Sequence, residues 1–239
     1  MKIFKYEITD STNQRAREYA RDVGGTEPIL FIAKGQTAGR GRKGRSFDSE
    51  MGKGLYTSLL FSPDGPFDAA LLTVRAAVAV ARSIYKTAGL AVGIKWVNDI
   101  FSGGKKLAGI LAEGEFSSDG KLSYAIIGVG VNLLSRSFPH PLCDIATTVE
   151  DECGKTVSAD ELASAFADEF LSLSDKGEIM SEYRKLSTVI GKDVSVRSLG
   201  GEEFSAHVID VTDEGALLVR FEDGSLRELI SAEVSIKNI

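Results

Sequence analysis

PILFIAKGQTAGRGRKGRSFDSEMGKGLYTSLLF, residues 28–61, is the stretch on which the fold turns. PILFIAK (28–34) and LYTSLLF (55–61) each read as a short apolar strand. Between them runs a loop of about 20 residues, long enough to suggest a lid or binding loop. Gly39, Gly41 and Gly44 match the letters G-x-G-x-x-G. That fingerprint opens a helix after its strand, whereas here the loop enters another strand, so the dinucleotide reading fails. The Walker pattern is missing as well.

The loop is also an electrostatic exception. Residues 34–53 carry Lys34, Arg40, Arg42, Lys43, Arg45 and Lys53 against Asp48 and Glu50, a balance of +4 in a chain of net charge −6. The remainder is therefore at −10. So acidic a body argues against wrapping a nucleic acid, which needs a wide basic surface. A concentrated basic loop suits a small anion, because glycine-rich backbone exposes N–H groups and guanidiniums reach in beside them. A plain solvated loop is the competing account, and the position between two core strands weighs against it.

With 239 residues, 43% hydrophobic and 26% charged, the chain is composed like a globular protein with a sizeable core. MKIFKYEITDST has no signal-peptide pattern, and no apolar run reaches the roughly 18 residues of a membrane span. Two cysteines, Cys143 and Cys153, make no disulfide framework, and two histidines, His140 and His207, argue against a zinc cluster. These features point to a reducing cytoplasm.

IFKYEI (3–8) reads as a strand, and DSTNQ (10–14) as a helix start in which Ser11 and Gln14 have capping-box spacing. The box accounts for DSTNQ by itself, so Ser11 and Asn13 need other support as ligand contacts. AALLTVRAAVAVARSIYKTAG (69–89) predicts a buried helix stopped by Gly89. VGIKW (92–96), KLAGILAEGEF (106–116) and LSYAIIGVGVNL (122–133) predict strands, the last two joined as a hairpin at Asp119-Gly120. Helices are expected near 159–174 and 177–187. Beyond a boundary near 188, IGKDVSVRS, FSAHVIDV, GALLVRF and ELISAEVSI predict four short strands of a small barrel or sandwich.

Three further motifs carry polar residues where chemistry could use them. KWVNDI (95–100) sets Lys95, Asn98 and Asp99 at a sheet edge. Asp99 could hold magnesium or a ribose and Lys95 a phosphate; a simple Asn-Asp turn is the plainer account. Lys106 opens the next strand and would stand near Asp99 if the two strands pair. GVGVNLL (128–134) has strand glycines that admit close approach, and Asn132 ends an apolar run where an amide needs partners. No nucleophile–base pair presents itself, which suits a transfer reaction run by positioning and charge.

Taken in order and spacing, DSTNQ, QTAGRGRKGRSF, GLYTS, KWVND, KLAGIL, GVGVN and AEVSI resemble the biotin–protein ligases, or biotin–[acetyl-CoA-carboxylase] ligases, over essentially the whole chain. The lipoate ligases and octanoyl transferases share that fold without the GRGRxGR loop and resemble the chain less. The resemblance implies an α+β fold: a class II synthetase-like mixed sheet flanked by helices (1–187), then a small SH3-type β-barrel (188–239). It implies activation of biotin with ATP and Mg2+ to biotinyl-5′-AMP, then transfer to a lysine of a biotin carboxyl carrier domain. Ser11, Thr12, Asn13, Gln36, Gly39, Arg40, Gly41 and Arg42 would contact biotin. Lys106 would bridge the biotin carboxylate and α-phosphate, with Arg42 as its catalytic partner. Lys95, Asn98, Asp99 and Asn132 would lie on the nucleotide and magnesium side, Asp99 at the metal. The glycine-rich loop would order over the adenylate.

Two departures stand out: Val97 where the family has Pro, and Phe47 where it has Trp. Some members carry an N-terminal DNA-binding domain; DSTNQ begins at residue 10, so the expectation is a ligase that does not bind DNA. No membrane association is expected, and a homodimer through the catalytic sheet is left open.

Overall fold

The computed structural model describes residues 1–23, 27–62, 71–118, 121–197, 202–230 and 232–236. Seven strands form the larger sheet: β1 (Lys2–Thr9), β2 (Ile29–Gln36), β3 (Gly54–Phe61), β4 (Gly93–Lys95), β5 (Asp99–Ser102), β6 (Lys105–Phe116) and β7 (Leu122–Asn132). Their order is β1-β2-β3-β7-β6-β5-β4. Only β1 and β2 run parallel, joined by helix α1 (Thr12–Val23) as a crossover; every other pair is antiparallel.

Alternation along the strands assigns the two faces. Leu30 and Ile32 of β2, Leu55 and Leu59 of β3, and Ile127, Val129 and Val131 of β7 face the main core. That core is completed by helices α2 (Leu72–Ala88), α3 (Val149–Cys153), α4 (Ala159–Ser172) and α5 (Lys176–Leu186). Ile29, Phe31, Leu60, Tyr124 and Ile126 point the other way, under Ala16 and Ala20 of α1. Helix α1 covers only part of that second face. Beyond Ile126, β7 presents Gly128 and Gly130 there, while Val129 and Val131 stay in the core. The GVGV pattern thus builds a core wall on one side and a side-chain-free floor on the other.

Several local expectations are corrected. No capping box closes α1: the Ser11 N–H donates to Asp10 Oδ1 at 2.7 Å, and Gln14 instead bonds Glu18 and Arg17. A neighbouring carboxylate outcompetes the amide for that backbone donor. The KWVNDI segment is two short strands, β4 and β5, around the turn Trp96–Asn98. Helix α2 begins at Leu72, and Gly89 ends it in the left-handed conformation (φ 70°), as expected. Residues 119–120, the expected hairpin turn, lie outside the described residues.

The C-terminal strands number five among the described residues, not four: β8 (Asp193–Arg197), β9 (Glu203–Val211), β10 (Leu217–Arg220), β11 (Leu226–Leu229) and β12 (Glu233–Ile236). The ELISAEVSI segment divides between β11 and β12, which fall at opposite edges of an antiparallel sheet ordered β11-β10-β9-β8-β12. This is the small SH3-like β unit expected, and among the described residues its two edge strands, β11 and β12, are not paired. It is fixed to the rest of the chain through Trp96 Nε1 of the β4–β5 turn, which donates to the Gly215 carbonyl at 2.9 Å, and through Arg184 of α5, which reaches the Val211 carbonyl and Asp213. Among the described residues, no helix is long and apolar enough to cross a membrane.

Candidate active site

A cavity of about 920 Å³ opens over Gly128 and Gly130, within the range of small-molecule sites. The loop after β2 closes one side. It folds back on itself: Gly41 N–H donates to Arg45 O at 2.7 Å and Phe47 N–H to Gly39 O at 2.9 Å, around a turn with Lys43 at φ 57°. This returns Phe47 to the cavity floor. A Cβ at Gly130 would stand 2.5 Å from the Phe47 ring, so the phenyl occupies the space that this glycine leaves.

One end of the cavity is polar and uncharged. Ser11, Thr12, Asn13 and Gln36 line it, and all four were expected there. Gln36 Oε1 accepts from the Thr12 N–H at 2.8 Å, and Gln36 Nε2 donates to Ser49 Oγ at 3.0 Å. Ser58 Oγ lies 2.7 Å from Thr12 Oγ1 and donates to Asn13 Oδ1 at 2.6 Å. The other side of the Asn13 amide donates to Glu113 Oε2 at 2.7 Å, and Glu113 is paired with Arg17 at 2.5 Å. Asn13 is thereby held in one orientation by protein groups on both sides.

The middle and far end are cationic. Arg40, Gly41 and Arg42 of the loop, Lys95, Asn98 and Asp99 around the β4–β5 turn, and Lys106 of β6 all line the cavity. Lys106 Nζ stands 2.7 Å from Asp99 Oδ1, confirming the proximity expected if the strands paired. The backbone of Lys106 is pinned on its other side by bonds with Ile145 O and Thr147 N. Arg42 donates to Asn98 Oδ1 at 3.0 Å, and Asn98 is itself fixed by two bonds to the Ile110 backbone. Burial holds the Lys95 ammonium below the usual lysine range, partly offset by Asp99, and its Nζ lies 5.0 Å from the Phe101 ring centroid.

Two expected residues fall outside the cavity wall. Asn132 is buried and its amide is used internally, donating to Thr147 O at 3.0 Å and accepting from Arg136 at 3.3 Å. Gly39 packs against Ser49 Oγ and the Phe47 carbonyl. Other residues were not anticipated at all: Glu113 and Ser58 behind Asn13, and Glu233 of β12, which pairs with Arg45 at 2.6 Å. Glu233 sits within the AEVSI segment, but sequence alone says nothing of its partner.

The profile of the biotin/lipoate A/B protein ligase family matches residues 6–132, and that of the biotin protein ligase C terminal domain matches residues 189–237. The chain belongs to the biotin/lipoate A/B protein ligase family. Its named relatives within the family include biotin ligases. It is 34% identical over 239 residues to the biotin--[acetyl-CoA-carboxylase] ligase of Paracoccus denitrificans, across 94% of this chain and 95% of that one. It is 33% identical to the bifunctional ligase/repressor BirA of Bacillus spizizenii, across 96% of this chain and 72% of that one. Its fold matches that of the Aquifex aeolicus biotin protein ligase solved with biotin and ATP. The TM-score is 0.78 at 24% identity, covering 100% of this chain and 99% of that one.

Proposed function

We propose that the cavity binds biotin and ATP, joins them as biotinyl-5′-AMP, and passes the biotinyl group to a lysine of a carboxylase carrier domain. The observation that carries this reading is the polarity gradient within this cavity: neutral hydrogen-bonding groups at Ser11, Thr12 and Gln36, then cations at Arg40, Arg42, Lys95 and Lys106. A ring-shaped neutral polar head fits the first part. A carboxylate and phosphates fit the second.

In the first step a carboxylate oxygen bonds to the α-phosphorus of ATP while the bond to pyrophosphate breaks, and the electron pair leaves with pyrophosphate. Two anions must be brought together, and Lys106 and Arg42 supply charge at that point. In the second step the carrier amine attacks the acyl carbon, AMP leaves with its oxygen, and the nitrogen loses a proton to solvent. Asp99 would fit a magnesium role as a carboxylate at the cationic end of the cavity: its Oδ1 is buried and held only by the Lys106 ion pair at 2.7 Å, and magnesium commonly takes one or two carboxylates together with phosphates. When bound, that ion would offset phosphate charge. Among the described residues, no group of three or more His, Cys, Asp or Glu could hold a metal without such a substrate.

Residues 1–187 would carry this chemistry. Residues 188–239 would act beside it, since Glu233 and Val234 of the small sheet line the same cavity. Biotin-dependent exchange of labelled pyrophosphate into ATP tests the reading. Exchange that requires lipoate and ignores biotin would replace it with the lipoate or octanoate alternative.

A further inference from the structure

We propose that Arg136 is a positioning residue for the biotin end of the cavity, acting through the descending limb of the basic loop. The inference rests on the ligase reading above. Arg136 lies four residues beyond Asn132 and does not line the cavity, yet its side chain is only 3% exposed. An arginine so buried needs partners.

Its partners converge on one short piece of chain. One terminal nitrogen is 3.0 Å from Asp48 Oδ2 and 3.2 Å from Glu50 Oε2; the other donates to the Asp48 carbonyl and to Asn132 Oδ1. The guanidinium carbon lies 4.3 Å from the Phe138 ring centroid.

Between the two carboxylates stands Ser49. Its hydroxyl accepts from Gln36 Nε2 and donates to the Phe47 carbonyl, both at 3.0 Å, and its own carbonyl accepts from the Gln36 N–H at 3.2 Å. Gln36 in turn accepts from Thr12. A continuous line of bonds therefore runs from Arg136, through residues 48–50, to the Gln36 and Thr12 groups of the neutral end and to the base of Phe47. The cationic end is held by different anchors: Asn98 for Arg42, and the 145–147 segment for Lys106.

Removing the guanidinium would leave two carboxylates facing each other with no cation between them, and the limb would shift. Misplacement of about 1 Å can cost a binding group most of its effect. Lysine cannot substitute, since an ammonium does not fork to two carboxylates and a carbonyl at once.

The test is steady-state pyrophosphate exchange with biotin and ATP varied separately, on the full chain, for Arg136→Gln, for the double variant Asp48→Asn with Glu50→Gln, and for all three changes combined. The expected result is a rise of about tenfold in KM for biotin in each, with kcat and KM for ATP within about twofold of the parent. The combined variant should be no worse than the more affected of the two, because both remove one interaction. A structural role alone would lower the thermal midpoint and change both substrates alike. Unchanged KM for biotin, equal effects on both substrates, or fully additive effects would overturn the assignment. If Arg136→Gln fails to fold, the Asp48/Glu50 variant decides by itself: a parental KM for biotin refutes the proposal. A parent without biotin-dependent exchange would overturn the ligase reading and this assignment with it.

Discussion

Lys106 Nζ and Asp99 Oδ1 stand 2.7 Å apart on adjacent antiparallel strands, so the protein itself neutralises the cation best placed to meet a substrate anion. An entering carboxylate or phosphate must compete with Asp99 for that ammonium. Lys106→Met keeps the apolar stem and removes the charge. It should lower kcat for adenylate formation on the order of 10²–10³-fold, as read by single-turnover formation of the adenylate, and lower stability as well because Asp99 Oδ1 loses its partner.

Arg42 is steadied by Asn98, whose own amide is fixed to the Ile110 carbonyl. Arg42→Gly should speed release of biotinyl-AMP by about tenfold or more, since a charge-assisted contact is worth roughly 1.5–3 kcal/mol. Filter-retention of the labelled intermediate measures it, and a release rate equal to the parent's would remove Arg42 from the clamp.

A different prediction concerns the closed end. A Cβ at Gly128 would collide with the Asn13 amide, which is held by Ser58 and Glu113. Gly128→Ala should therefore destabilise the fold by about 1–3 kcal/mol and raise KM for biotin more than KM for ATP. Urea unfolding and exchange kinetics read the two effects separately.

How much of this could be read beforehand depends on the range of the interaction. The GVGV alternation, the strand–loop–strand order and the approach of Lys106 to Asp99 follow from short periodicities and one strand pairing, and all were legible. The wall made by Phe47, the hold of Glu113 on Asn13 and the reach of Arg136 back to Asp48 were not. Each joins residues far apart in the chain, and no local pattern marks either partner. The capping box failed for the opposite reason: its spacing was right, but Asp10 took the backbone donor first. The small C-terminal β unit was legible from even strand spacing, which does not show whether its two edge strands meet.

Burial lowers the proton affinity of Lys95, which gives a stability test in pH. Below its folded-state value the native protein bears the full penalty of a buried ammonium. As pH rises from that value toward the ordinary 10.5, the native state releases the proton before the unfolded chain does, so stability rises relative to a variant without the group. Lys95→Met should thus unfold at a higher temperature than the parent near neutral pH, and the gap should narrow as pH approaches that limit. The same variant should use ATP less well. A gap that widens with pH would contradict the assignment.

That one cavity activates biotin at the expense of ATP is read out by pyrophosphate exchange into ATP. Exchange should appear with biotin, be absent with lipoate, and fall by at least about 10² in Lys106→Met. Exchange supported by lipoate but not biotin, or undiminished in the Lys106 variant, would contradict it.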